Sequence, residues 1–185
     1  MKREKQWIVT RVNGRIAAVS FDYRALAEVA SVLARLRPEE VEQVTTEKIP
    51  TAALVELSRS CAWEDLCLYG TPFQKEVWRK LFELTHGENS PRVMSYTEFA
   101  ALCGNPEGVR AVAHAVACNP VIFIIPCHLI IPKESMDKIA LIRADAQATL
   151  FKGADLDVLR AVDCGEYAPG KALKREMITL SLRAD

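Results

Sequence analysis

Cys127 and His128 stand side by side at the end of an apolar run, Val121-Ile122-Phe123-Ile124-Ile125, directly after Pro126. A thiol reacts as its thiolate, and a neighbouring imidazole lowers the cost of forming that anion. The pair therefore offers a nucleophile with a base within reach. The β-branched run predicts a buried strand, and Pro126 ends it because proline has no N–H to give to a sheet ladder. Taken alone, Cys127 reads equally well as an inert core residue, since cysteine is among the most buried residue types. The elements that must position it separate the two readings.

Asn119-Pro120 precedes the run and closes a helix that begins after Asn105-Pro106. Val109, Val112, Ala113 and Val116 share one face of that helix at helical spacing, while Arg110 and His114 lie off it. A shorter helix precedes it. Ser95-Tyr96-Thr97-Glu98 is a capping box, with Phe99 and Leu102 inward and Cys103-Gly104 at the end. Two short helices joined by a glycine-containing turn give either an ordinary αα corner or a helix-turn-helix whose second helix is the recognition helix, where Arg110 beside the small Ala111 and Ala113 favours close approach to a partner. Further upstream, Thr71-Pro72-Phe73-Gln74 is another capping box with proline at the first helical position, and its helix is expected to run to about Leu84. Its apolar stripe is Phe73, Val77, Trp78, Leu81 and Phe82.

The first third carries no constellation of chemical groups. Trp7 to Val12 and Arg15 to Phe21 flank Asn13-Gly14, a strong hairpin signal. A helix is expected from Tyr23 to about Leu36, capped by Asp22, and a short one after Pro50 with Leu54 and Leu57. Residues 132–164 carry helical patches around Ile139, Leu141 and Ile142, and again around Leu156, Leu159 and Val162. Lys171 to Leu182 reads as a final helix with Leu173, Met177 and Leu180 inward.

The 185 residues are half hydrophobic, with zero formal net charge, which is an ordinary globular composition without a global pull toward nucleic acid. Six cysteines include no Cys-x-x-Cys pair, so the usual zinc and redox spacings are missing. Met1-Lys2-Arg3-Glu4-Lys5 leads into no apolar run of signal-peptide length, and no stretch approaches a membrane span of roughly 20 residues. The expectation is a cytoplasmic protein with free thiols, no membrane partner and a monomeric state.

Several of these pieces, in order and spacing, resemble one family. They are Gly70-Thr71-Pro72-Phe73-Gln74-Lys75-Glu76-Val77-Trp78, Ser95-Tyr96, Val109-Arg110-Ala111-Val112-Ala113, Asn119-Pro120 and Ile125-Pro126-Cys127-His128. The family is that of the O6-alkylguanine-DNA alkyltransferases, or methylated-DNA–protein-cysteine methyltransferases. The likeness is close over roughly residues 66–131 and resumes at Tyr167 to Lys174. It implies an α+β fold: a small N-terminal hairpin-containing α/β domain (1–65) followed by a mostly helical domain with a helix-turn-helix (66–185). It also implies a suicide repair protein that binds duplex DNA containing O6-alkylguanine, flips the lesion out and moves the alkyl group onto Cys127 without a cofactor or metal. In that reading His128 is the base, Tyr96 donates its hydroxyl to the guanine, Asn119 braces the active-site turn and Arg110 fills the vacated stack.

The chain departs from that pattern in three places. Leu129 stands where the family usually has arginine. Ser181 falls where the family carries the glutamate that orients the histidine. Residues 132–164 replace a shorter glycine-rich loop. A non-enzymatic lesion binder on the same scaffold is therefore the alternative. A cysteine hydrolase built on Cys127 and His128 is disfavoured, because neighbours along a strand point to opposite sides.

Overall fold

The computed structural model describes residues 5–21, 30, 34–35, 39, 41–86, 92–148, 158–159, 161–167 and 170–182, without the side chains of residues 143 and 145–148. The helix expected over residues 23–36 falls almost wholly outside them. The hairpin forms as expected from β1 (Gln6–Val12) and β2 (Arg15–Phe21). Asn13 and Gly14 both take positive φ, 50° and 80°, as the tight turn between two right-twisted strands requires. A third strand, β3 (Val44–Pro50), pairs antiparallel with the free edge of β1, giving the order β2-β1-β3. No alternating apolar pattern marks this strand in the sequence. Val44 to Lys48 is exposed throughout, so β3 has no alternating apolar face and is held by its backbone pairing.

Helix α1 (Thr51–Ser60) follows, with Leu54 buried, and then α2 (Pro72–Glu83) begins at the expected capping box. Gln74 N–H donates to Thr71 Oγ1 at 3.2 Å, and Thr71 N–H donates to Gln74 Oε1 at 2.9 Å. Strand β4 (Met94–Ser95) leads directly into α3 (Tyr96–Leu102), capped reciprocally by Ser95 and Glu98. Residues 103–108 connect α3 to α4 (Val109–Ala117), and Pro106–Gly108 forms a 3-10 turn before the α-helix begins. After the Cys127–Leu129 turn come β5 (Ile130–Ile131), α5 (Lys133–Ala148) and α6 (Lys171–Leu182). The fold is thus mixed, with a small sheet and a mostly helical remainder.

One core joins the hairpin to the helices that follow it. Trp7, Val9, Ile16 and Val19 of the hairpin pack in the same cluster as Leu54, Trp78, Leu81, Phe99, Val112 and Val116. A second cluster joins Leu129 and Ile131 to Ile139, Val158, Leu159, Val162, Cys164 and Ile178. Ile139, Val158, Leu159, Val162 and Cys164 therefore pack against the turn that carries Cys127. Among the described residues, no helix is long and apolar enough to cross a membrane.

The expected strand over Val121–Ile125 does not form. Val19 N–H reaches Pro120 O at 2.9 Å and Val19 bridges Val121, but the chain then folds back so that Ile125 N–H donates to Val121 O at 3.0 Å. Phe123, at the bend, has a φ of 75°. The β-branched run is apolar because it is buried on all sides. Its backbone groups find partners in a turn rather than in a ladder.

Gly70 sets the approach of α2 to this core. A Cβ at that position would stand 2.6 Å from the ring of Trp78. That ring is fully buried and tied down by its Nε1 donating to Ala115 O at 2.8 Å. Gly70→Ala should therefore lower the unfolding free energy by about 1–3 kcal/mol through overpacking, read as a fall in the urea midpoint at constant slope.

Candidate active site

Asn119 organises the site. Its position just after α4 follows from the Asn-Pro pair that ends the helix, and its side chain is 7% exposed. Oδ1 accepts from Val121 N–H at 3.0 Å, while Nδ2 donates to Ile125 O at 2.8 Å and to Cys127 Sγ at 3.1 Å. The amide orientation is dictated by these partners, since only the oxygen can face an N–H and only the nitrogen a carbonyl. One side chain thus spans both ends of the 121–125 bend and touches the thiol.

Cys127 opens a 3-10 turn, Cys127–Leu129, so it and His128 are not neighbours along a strand. Its Sγ lies 4.0 Å from the Tyr167 hydroxyl. Burial pushes the thiol above its ordinary pKa, and the contacts with Asn119 and Tyr167 and the nearby Lys174 pull against that shift without reversing it. The resting group is a thiol. Tyr96, at the start of α3, is raised too, first by burial and then by Cys127, and keeps its phenolic proton. The short parallel pairing of β4 with β5, Met94 with Ile130 and Ser95 with Ile131, brings the head of α3 to the active-site turn. Nothing in two residues per strand could announce that pairing in the sequence.

His128 is fully buried. Its Nε2 lies 2.7 Å from Ser181 Oγ on α6, and its Nδ1 has no hydrogen-bond partner among the described residues. Its ring stacks on Phe123 with centroids 5.4 Å apart and planes 8° from parallel. Phe123 holds its left-handed backbone, a conformation costing about 1–2 kcal/mol in a bulky residue, while packed against the imidazole. Burial, with a further push from Lys174, takes the His128 pKa down to about 3. Lys174 itself is buried, its Nζ donating to Ile130 O at 2.8 Å and standing 5.9 Å and 6.0 Å from the rings of Tyr96 and Tyr167. Burial lowers its pKa as well.

The structure places Asn119, Tyr96 and His128 around Cys127, together with Tyr167, Lys174, Ser181 and Phe123. The motif linking Tyr167 to Lys174 was the signal for two of these additions. Phe123 was hidden inside a run that read as strand. Arg110 and Ala111 are exposed on α4 and Ala113 is half-exposed, apart from the thiol, and Arg110 makes no ion pair among the described residues. Ala115 rather than Ala113 turns inward beside Val112 and Val116. Leu129 is fully buried in the second apolar cluster. Among the described residues no group of three or more His, Cys, Asp or Glu side chains is placed to hold a metal ion.

Residues 72–149 match the family model described as 6-O-methylguanine DNA methyltransferase, DNA binding domain. The chain is 44% identical over 71 residues to a probable methylated-DNA–protein-cysteine methyltransferase of Acanthamoeba polyphaga mimivirus, covering 38% of this chain and 45% of that one. It is 46% identical over 65 residues to a methylated-DNA–protein-cysteine methyltransferase of Haemophilus influenzae, covering 35% of this chain and 34% of that one. These matches span less than half the length of either relative. The fold as a whole resembles the crystal structure of O6-methylguanine-DNA methyltransferase from Pyrococcus kodakaraensis. The TM-score is 0.57 at 20% identity, over 98% of this chain and 94% of that one.

The depressed pKa of His128 has a measurable consequence. Below its ordinary value of 6.5 the unfolded chain takes up a proton that the folded chain refuses until about pH 3. Stability linked to His128 is therefore complete above pH 6.5 and is lost as pH falls through that window. Lowering the pH from 7 to 5 should cost about 2 kcal/mol through this group. His128→Gln should lose that share of the pH dependence, while the contributions of other groups cancel between the two proteins. Urea titrations of both at the two pH values test this, and an identical pH difference in both would contradict it.

Proposed function

We propose that this chain, whose residues 72–149 match the 6-O-methylguanine DNA methyltransferase model, repairs DNA by moving an alkyl group from O6 of guanine onto Cys127. The observation that carries this reading is the thiol itself, buried and held at 3.1 Å by the Asn119 amide. Sulfur forms a bond to the alkyl carbon as the carbon–O6 bond breaks, and the thiol proton passes to His128. Burial keeps Cys127 and His128 uncharged at rest, so charge develops only as the alkyl group moves. A protonated Tyr96 is suited to donate to the departing guanine and to stabilise the negative charge that appears there. Asn119 keeps the turn in register throughout.

On this reading α3 and α4 form a helix-turn-helix, and the exposed face bearing Arg110, Ala111 and Ala113 meets duplex DNA. Two alanines allow close approach of the helix backbone, and Arg110 enters the stack left by the flipped base, offsetting an unstacking cost of a few kcal/mol. The protein acts as a cytoplasmic, DNA-associated monomer and consumes itself in one turnover. It needs no cofactor, because the alkyl group arrives on the substrate and remains on the protein.

Incubation with a duplex carrying O6-methylguanine, followed by intact-protein and peptide mass spectrometry, should show a gain of one methyl group on Cys127. Cys127→Ala should gain none while still binding the duplex. Arg110→Ala should weaken lesion binding by roughly tenfold, a loss on the order of 1–2 kcal/mol. Selective binding of the lesion with no change in mass would favour a non-enzymatic lesion binder instead.

A further inference from the structure

A second thiol–imidazole pair stands on the outward side of α4, apart from the side chains gathered at Cys127. His114 is exposed, and Cys118, the residue that caps the C-terminal end of the helix, is half-exposed and free. Cys118 Sγ lies 3.6 Å from His114 Nε2, and neither side chain has another hydrogen-bond partner among the described residues. Residues four apart on a helix are surface neighbours, so the two donor atoms can address one point beside the helix. Thiolate sulfur and imidazole nitrogen are the donors that thiophilic divalent cations take. A tetrahedral zinc ion, with bonds of about 2.3 Å to sulfur and about 2.0 Å to nitrogen, holds those two atoms about 3.5 Å apart. The observed separation therefore fits the bite of such an ion without movement of the backbone. The pair also lies at the end of the helix where aligned peptide dipoles favour positive charge. The other half-exposed thiols are placed differently. Cys67 is 3.0 Å from the Tyr69 hydroxyl, and Cys103 lines a groove with Trp63, Phe73 and Lys80 but no imidazole.

We propose that His114 and Cys118 form a binding site for a thiophilic divalent cation, zinc or cadmium, with Nε2 and Sγ as its protein ligands and water in the remaining positions. Binding exchanges the S–H bond for a metal–sulfur bond and releases the thiol proton to solvent. The imidazole gives its Nε2 lone pair and keeps its ring proton on Nδ1, which faces no competing acceptor among the described residues. Neither ligand nor metal changes oxidation state. The site is independent of the transferase reading, although it lies on the face of α4 that carries Arg110 and Ala111.

Zinc titrations of the reduced, full-length protein against a chromophoric chelator test the assignment. Cys118→Ser and His114→Gln should each weaken the tightest site by roughly 100-fold, the loss expected when a chelate is reduced to one arm. Cys103→Ser should leave it unchanged. Cys118→His, which keeps two ligands one turn apart, should retain zinc affinity within about tenfold of the wild type. In cadmium titrations, the first equivalent should bring up a thiolate-to-metal charge-transfer absorption in the wild type and in Cys103→Ser, but not in Cys118→Ser or Cys118→His. Equal zinc affinity in the wild type and His114→Gln would overturn the proposal and leave the contact as a hydrogen bond only. A loss in Cys103→Ser as large as that in Cys118→Ser would overturn it too, because the metal would then be held by scattered thiols. All the variants are of solvent-facing side chains, and matching urea midpoints establish that each is folded.

Discussion

The Asn119 side chain is the contact on which the site depends. A chain that leaves a helix, runs through five apolar residues and reverses must pair several backbone groups away from both water and sheet. Here one carboxamide takes on the N–H of Val121 and the carbonyl of Ile125, the two ends of the bend, and its remaining donor capacity goes to the Cys127 sulfur. No other side chain of that length offers both an acceptor and two donors in a plane. Aspartate would repel the carbonyl, and leucine would leave both backbone groups unmatched at about 1–3 kcal/mol each. The bend carries Phe123 into its strained conformation, and Phe123 carries the His128 ring. Helix end, thiol and imidazole are thus connected through one residue that in the sequence reads as a helix stop.

Burial is the second constraint, and it pushes four titratable groups of the site toward their neutral forms. The thiol of Cys127 and the phenol of Tyr96 are pushed up, the imidazole of His128 and the ammonium of Lys174 pushed down, all with desolvation as the leading cause. Each shift favours the neutral form. Such a pocket suits a reaction whose reactants carry no charge on the reacting atoms and whose charge appears only in passing. It also explains why the site has no exposed low-pKa cysteine of the kind used by redox enzymes. Lys174 is the one group with charge to lend, and its Nζ is directed at the Ile130 carbonyl, between the two tyrosine rings.

The sequence was most informative where local chemistry decides local structure. Both capping boxes, the Asn13-Gly14 turn and the ends of α2 and α6 lie where their residues indicate, because a cap or a left-handed turn is settled within four residues. The identity of Cys127, His128, Tyr96 and Asn119 as a group was legible through motif order. What was not legible depends on distant partners. β3 is an exposed edge strand defined by β1, the β4–β5 pairing involves two residues on each side, and Val121–Ile125 is a bend because Asn119 satisfies it, although its composition is that of a strand. Ser181 is the clearest case. Its position on α6 could be counted from Tyr167 and Lys174, but its contact with His128 depends on how α6 packs.

That packing gives the departures at 129 and 181 one physical setting. Helix α6 lies between the two apolar clusters, with Leu173 and Met177 in one and Ile178 in the other, while Lys174 and Ser181 reach the active-site turn between them. Leu129 is on the side of the second cluster, where its neighbours are Ile131, Ile139, Val158, Leu159, Val162, Cys164 and Ile178. An arginine there would be desolvated among apolar side chains with no counter-charge in the cluster, a cost of several kcal/mol. Leucine removes that cost and contributes about 2 kcal/mol of burial instead. The segment after Pro132 supplies Ile139 and the residues from Val158 to Cys164, so the apolar side chain at 129 and the helix that covers it belong to one packing solution. With the charge at 129 gone and a hydroxyl rather than a carboxylate at 181, the surroundings of His128 are neutral except for Lys174. Among the described residues the imidazole is held by shape and a single hydrogen bond, and burial, with Lys174 nearby, makes it a weak base.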